Sequence, residues 1–79
     1  MEVNFNKPAV YIIRVQGELA DEWSGRLGGM QITQERKKGA KTISILTGRI
    51  CDQPALSGVL NTLYDLHLPV LSVNILEDK

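Results

Sequence analysis

The chain is poor in the residues that build covalent, metal-binding and stacking sites. Its 79 residues include one cysteine, one histidine, one tryptophan, one phenylalanine and two tyrosines. A single cysteine excludes an internal disulfide and suits a reducing compartment. One cysteine and one histidine leave only carboxylates to complete a metal shell. The sequence therefore predicts no metal and no cofactor, and it is compatible with a cytoplasmic bacterial protein.

Excess charge and long apolar runs are also lacking. Nine basic residues balance nine acidic ones, so no field of the whole chain favours nucleic acid or an anionic membrane. The longest apolar run is far shorter than the roughly 20 residues that span a bilayer. The start, MEVNFNKPAV, has no basic segment followed by an apolar one, which predicts no targeting signal.

The length of the chain predicts one domain over residues 1–79, with a polar lead over residues 1–8. At this size a single hydrophobic core yields only about 3 to 5 kcal/mol. Association with another chain would add to that stability.

The segment 52–73 reads as a helix cap, an amphipathic helix, a stop and a strand. Asp52 can accept hydrogen bonds from the first helical turn, and Pro54 lies where a missing N–H costs little. Pro69 predicts the stop, so residues 70–75 must be extended. The apolar stripe of the predicted helix comprises Leu56, Val59, Leu60, Leu63 and Leu66. Its interior glycine, Gly58, predicts close packing against a neighbouring element.

The first half of the chain predicts three strands and a short helix. Residues 9–19 alternate, with an inner face made of Tyr11, Ile13, Val15 and Leu19. Asp21 caps a helix over residues 21–27, which the glycine pair 28–29 ends. Residues 30–35 and 42–50 then form a hairpin around the turn RKKGAK.

This order of elements predicts an α+β fold of the ferredoxin-like βαββαβ type. In that plan a four-stranded antiparallel sheet carries both helices on one face, and its other face is open. Val10 and Ile12 are apolar residues on the outer face of the first strand, and Arg14 lies beside them. We predict these three residues as an interface, with a second copy or an unidentified protein as the partner.

The chain offers little material for catalysis. Cys51 and His67 lie at opposite ends of the long helix, roughly 20 Å apart, and cannot form a dyad. Cys51 is predicted to be a small buried side chain, and His67 a residue of the helix end. Asp21 and Glu22 complement the positive end of the short helix. We therefore predict that the protein is not an enzyme.

The turn between the hairpin strands is basic. Arg36, Lys37, Lys38 and Lys41 surround Gly39 and could track phosphates. The predicted strands lack the paired aromatic residues of RNA-binding sheets. A solvated turn is therefore the favoured interpretation, and weak nucleic-acid binding is an alternative.

Three quoted segments carry a family resemblance. A strand ending in GEL, then DEWSGRLGGMQIT, then TGRICDQPALSGVLNTLYDLHLPVLSV resembles a group of small uncharacterised bacterial proteins. That group shares the tryptophan, the paired glycines and a DQ-A-L-G-L-L-P-S pattern. The resemblance spans about residues 10 to 73. It implies a freestanding bacterial domain and supplies no catalytic residues.

The second half also looks like the D-x-P-G-L-L opening of amino-acid-binding ACT domains. Asp52, Pro54 and Leu56 match that opening, whereas Ala55 stands where the family prefers glycine. In this chain the motif follows the third strand instead of the first. The resemblance implies a small-ligand site formed by Asp52, Gln53, Ala55 and Leu56.

Trp23 admits two interpretations. Its spacing from Leu27 favours packing of the short helix on the sheet, and an interface anchor is the alternative. Taken together, the observations predict a non-enzymatic interaction module that self-associates through the open sheet face or an edge strand. A small-ligand regulatory domain is the second hypothesis.

Overall fold

A computed structural model describes residues 9–36, 39 and 41–76. Strand β1 spans Ala9–Gln16, and a 3₁₀ helix over Asp21–Leu27 follows it. Strands β2 (Gln31–Glu35) and β3 (Ile43–Ile50) come next. Helix α1 (Gln53–Asp65) then leads to strand β4 (Val70–Leu76). Within these residues, no helix is long and apolar enough to cross a membrane.

The four strands form one sheet in the order β2-β3-β1-β4, and all neighbours are antiparallel. The 3₁₀ helix connects β1 to β2, which flank β3. Helix α1 connects β3 to β4, which flank β1. The predicted α+β class, the antiparallel four-stranded sheet and the two helices are thus confirmed, and β2 and β4 are the edge strands.

Strand β1 alternates between a core face and an open face, as its sequence predicts. Tyr11, Ile13 and Val15 are buried, because successive side chains of a strand point to opposite faces. The strand ends at Gln16, earlier than predicted, because Gly17 has a positive φ of 123°. The three buried residues of β1 belong to the hydrophobic core, which contains Tyr11, Ile13, Val15, Leu19, Leu27, Met30, Ile32, Leu46, Ile50, Leu56, Val59 and Leu63.

Ser44 ties the end of β1 to β3. Its side chain is fully buried. The hydroxyl donates to the carbonyl oxygen of Gly17 at 2.7 Å and accepts from the amide of Leu19 at 2.9 Å. These bonds satisfy two backbone groups just past the point where the backbone pairing of β1 with β3 ends. Leu19, which follows β1, therefore still packs in the core.

The start of the 3₁₀ helix differs from the prediction. Ala20 is the N-cap residue, and no side chain makes a capping hydrogen bond. Asp21 is not the cap because the extended backbone at Ala20 makes Asp21 the first residue of the helix. Gly28 and Gly29 have φ values of 70° and 74° and end the helix as predicted.

Helix α1 follows its predicted cap and stripe. The Asp52 carboxylate accepts a hydrogen bond from the amide of Ala55 at 2.9 Å. Residues Leu56, Val59 and Leu63 are buried, and Leu60 and Leu66 pack against them.

The end of α1 is a Schellman turn centred on His67. The amide of Leu68 donates to the carbonyl of Leu63 at 3.1 Å, and that of His67 donates to Tyr64 at 3.0 Å. His67 has a φ of 60°, in the left-handed region where glycine is usual. The Schellman turn therefore ends the helix ahead of Pro69, so the proline is not what ends it.

Two predictions about small side chains are wrong. Gly58 is not closely packed, because it lies on the solvent side of α1 and an added Cβ would meet nothing within 4 Å. Cys51 is exposed and not a buried hydrophobe. The preceding Ile50 points into the core, so strand alternation turns the next side chain outward.

Replacing Ser44 with alanine should destabilise the domain. Ser44→Ala leaves the Leu19 amide and the Gly17 carbonyl without their partner, which costs about 1–3 kcal/mol for a buried group. Chemical denaturation measures the change in the free energy of unfolding. The exposed Ser57→Ala is the control and should stay within about 0.5 kcal/mol. Equal effects of both changes would contradict this role of Ser44.

Replacing Gly58 with alanine should stabilise the domain by about 0.5–1 kcal/mol, because the site is helical and has room for a methyl group. Gly28→Ala is the matched contrast. It should destabilise by roughly 1–2 kcal/mol because of the left-handed backbone. Thermal unfolding of both variants checks the opposite signs, and a lower melting temperature for Gly58→Ala would contradict the assignment.

Removing the cap of α1 should weaken the domain by about 1 kcal/mol. Asp52→Ala deletes the acceptor of the Ala55 amide, whereas Asp52→Asn retains an acceptor and should restore most of the stability. Asp65→Ala, at the other end of the same helix, controls for loss of a carboxylate. Urea unfolding should rank Asp52→Ala lowest of the three variants, and any other order would reject the capping role.

Candidate interaction surface

Strand β4 carries five of the six exposed large apolar side chains among the described residues. Its sequence is VLSVNIL, and the large apolar side chains that are 38–50% exposed are Val70, Leu71, Val73, Ile75 and Leu76. The other edge strand, β2, reads QITQE and buries its one large apolar side chain, Ile32. Edge strands are normally short, charged or interrupted by proline. Strand β2 follows that rule and β4 does not.

Apolar side chains of β4 emerge on both faces of the sheet. Val73 lies opposite Ile13 and Ile75 opposite Tyr11, so both point to the side that carries the core. Leu76 lies opposite Val10 and points to the open face. The pairing of β1 with β4 shifts register next to Val15, which marks a β-bulge. Bulges of this kind increase the local twist of the strand.

Two backbone hydrogen bonds show which residues of β1 bond to β4 and which bond to β3. The amide of Gln16 donates to Pro69 on the β4 side at 2.9 Å, and that of Gly17 donates to Thr42 on the β3 side at 2.8 Å. Bonding direction alternates along an antiparallel strand. Even-numbered residues of β1 therefore bond toward β4, and odd-numbered ones toward β3.

The same alternation orients the backbone of β4. Ser72 and Asn74 pair with the even-numbered residues Arg14 and Ile12, so their N–H and C=O groups point inward to β1. The N–H and C=O groups of Val73 consequently point to the outer edge, as do those of Ile75. Strand β4 thus presents both a ladder of backbone groups and apolar side chains at this edge.

A cleft of about 290 Å³ adjoins the start of β4. It is lined by Tyr64, His67, Leu68 and Pro69. Tyr64 is 79% exposed, and Pro69 precedes the first residue of β4. The apolar surface of the edge therefore extends to the end of α1.

The predicted interface on β1 is less exposed than β4. Val10, Ile12 and Arg14 are half-buried on the open face. The Ser72 side chain lies next to Arg14 on that face, and its hydroxyl is buried without a hydrogen-bond partner in the described part of the chain. These residues form a face that a partner could cover, and their role stays a prediction.

The predicted ligand site divides into folding residues and exposed residues. Asp52 caps α1, and Leu56 belongs to the core. Gln53 and Ala55 are exposed. Ligand binding stays a prediction that rests on these two residues and on the carboxylate oxygen that the cap does not use.

The basic turn is only partly described. Arg36 donates a hydrogen bond to the carboxylate of Glu18, which offsets its charge, and Lys41 is exposed. Lys37 and Lys38 lie outside the described residues. Nucleic-acid binding by this turn therefore also stays a prediction.

The remaining candidates lie far apart. Cys51 and His67 flank the 13 residues of α1, about 20 Å of helix. No group of three or more His, Cys, Asp or Glu residues that could hold a metal occurs in the described part of the molecule. Trp23 is half-buried and packs against the core, and the Arg26 guanidinium lies 5.6 Å from its ring centre.

Sequence reasoning missed the exposure of β4, although a signal was present. Residues 70–76 contain no charged side chain, and a run of this kind suits a strand that is covered on both faces. The sheet order puts that run at an edge.

The family profile described as a domain of unknown function (DUF8691) matches residues 10–74. This range begins in β1 and ends in β4, so it contains both helices, β2 and β3 whole and most of β1 and β4. No curated protein and no solved structure matches the chain. Because the profile covers well over half of its residues, the chain belongs to the family described as a domain of unknown function (DUF8691).

Proposed function

We propose that this domain is a non-enzymatic interaction module that self-associates as a homodimer through the β4 edge. The observation that carries the proposal is an uncharged edge strand whose large apolar side chains are more than a third exposed. Burying apolar surface contributes about 25 cal/mol per Å². Backbone groups along the same edge add hydrogen bonds that any partner strand can complete.

An edge that carries neither charge nor proline is hazardous for an isolated protein. Natural sheets block edges with charges, prolines, bulges or a covering element, because a bare edge pairs with other chains, and in β4 the bulge lies at one end and leaves residues 72–76 regular. The VLSVNIL segment contains neither a charge nor a proline. Cover by a partner strand accounts for both features, and a second copy of the chain is the partner always present at equal concentration.

The edge is favoured over the open sheet face as the contact. Val10 and Ile12 are only half-exposed, and the face carries two arginines, Arg14 beside Ser72 and Arg49 opposite Val10. Charged residues are depleted in the centres of interfaces. Strand β4 combines greater apolar exposure with no charge.

Within the α+β class, we place the fold as a variant of the ferredoxin-like plan. Each helix connects two strands that flank a third one, which supports the split βαβ arrangement. The first helix departs from the plan because it is a 3₁₀ helix of seven residues. We also place the protein in the cytoplasm, since an exposed lone cysteine suits a reducing compartment.

Charge at the centre of the β4 edge should disrupt the homodimer. Val73→Lys removes apolar burial and puts two like charges at the contact, so we expect association to weaken at least tenfold. Sedimentation velocity across micromolar concentrations measures this. Thr33→Lys on the β2 edge is the matched control, and it should leave the dimer intact.

Two results would overturn the proposal. One is a wild-type chain that stays monomeric across that concentration range. The other is a dimer that Ile12→Lys dissociates and Val73→Lys does not, which would move the contact to the open sheet face. Circular dichroism of each variant verifies that it is folded, so that loss of association is not loss of structure.

A further inference from the structure

Resting on the proposed self-association, we infer that two β4 strands pair antiparallel about a two-fold axis. The axis passes midway between the Val73 residues of the two copies. This pairing joins two four-stranded sheets into one continuous sheet of eight strands. A two-fold contact uses the same surface on both copies, so the edge must be complementary to itself. The residues of β4 meet that condition in one register.

Strand β4 is symmetric in polarity about Val73. Reading VLSVNIL outward from its centre gives a polar pair, an apolar pair and a second apolar pair. Opposite residues in the two-fold register are Ser72 with the partner's Asn74 and Leu71 with the partner's Ile75, whereas Val70 lies beyond the register shift of β4. From residue 71 to residue 75 every apolar side chain thus faces an apolar one, and opposite side chains are the unit of sheet stabilisation.

The backbone restricts the possible registers. Val73 and Ile75 direct their N–H and C=O groups to the outer edge, whereas Ser72 and Asn74 direct theirs to β1, so Val73 and Ile75 form the hydrogen-bonded pairs with the other copy. Allowed registers therefore differ by steps of two residues. A slip of one residue would bring inward-pointing groups against outward-pointing ones.

Neighbouring allowed registers match less well. Moving one step in one direction centres the contact on Ser72 and pairs only residues 71–73 of the two strands, because Val70 lies beyond the register shift of β4. Moving one step in the other direction centres it on Asn74 and places Ser72 opposite the partner's Leu76. The first of these registers leaves residues 74–76 unpaired, and the second sets apolar against polar side chains. The register centred on Val73 pairs residues 71–75 with their own kind.

Charge also favours a second copy as the occupant. Strand β4 has no ionisable side chain, so the two-fold axis places no like charges opposite one another within the strand. The axis is perpendicular to the sheet, which keeps the helices of both copies on the same side. Val73 and Ile75 of the two copies then form one apolar layer on the side of the sheet that carries the α1 helices.

Cysteine cross-linking tests the register. In a Cys51→Ser background, Val73→Cys should form an intermolecular disulfide under oxidised glutathione. Hydrogen-bonded antiparallel pairs have Cα atoms about 5.5 Å apart, within the range for a disulfide. Leu71→Cys alone should not cross-link, because the two copies of residue 71 are offset by four positions, about 13 Å. A mixture of Leu71→Cys and Ile75→Cys chains should cross-link only between unlike chains.

Different failures have different meanings. A dimer by sedimentation in which Leu71→Cys or Ile75→Cys alone cross-links as well as Val73→Cys overturns the register and leaves the proposed function standing. A dimer in which neither Val73→Cys nor the mixture cross-links does the same. A wild-type monomer overturns both. Should Val73→Cys fail to fold, the mixture tests the same register independently.

Discussion

The rest of the structure depends on the pairing of β1 with β3 on one side and with β4 on the other. This double pairing sends Tyr11, Ile13 and Val15 into the core and leaves the alternate residues on the open face. It also sets the direction of the backbone groups of residues 72–76 in β4, because bonding alternates along an antiparallel strand. The buried hydroxyl of Ser44 fastens the chain where this pairing stops. Both the core and the outer edge are therefore consequences of one central strand.

The two edges that result have opposite chemistry. Strand β2 is short and polar, and the ion pair between Arg36 and Glu18 lies just beyond it. Strand β4 is longer, uncharged and apolar on both faces. A small domain gains only a few kcal/mol from its core, and five partly exposed apolar side chains on one strand represent stability that a partner can supply. The proposed self-association would therefore add to the stability of this domain.

Local signals predicted α1 well because its determinants are close together in the chain. The Asp52 cap, the stripe from Leu56 to Leu66 and the strand after Pro69 all lie within about 20 residues of one another. The cap of the 3₁₀ helix was missed because the extended backbone at Ala20 starts that helix one residue earlier. Burial at Gly58 and Cys51 was misjudged for a different reason. Whether a small side chain is covered depends on what packs above it, and neither residue faces the core.

By itself, the sequence determined which segments are helix or strand. It also placed at residues 70–76 a mainly apolar segment whose polar and apolar residues are arranged symmetrically about Val73. These properties depend on neighbouring residues and on short-range periodicity. Only the tertiary structure decided that this run forms an edge strand. Strand order comes from pairing between residues that are distant in the chain, such as Ile13 with Val73. The same apolar residues in a central strand would be ordinary core, and at the edge they form the exposed surface on which the proposed self-association rests.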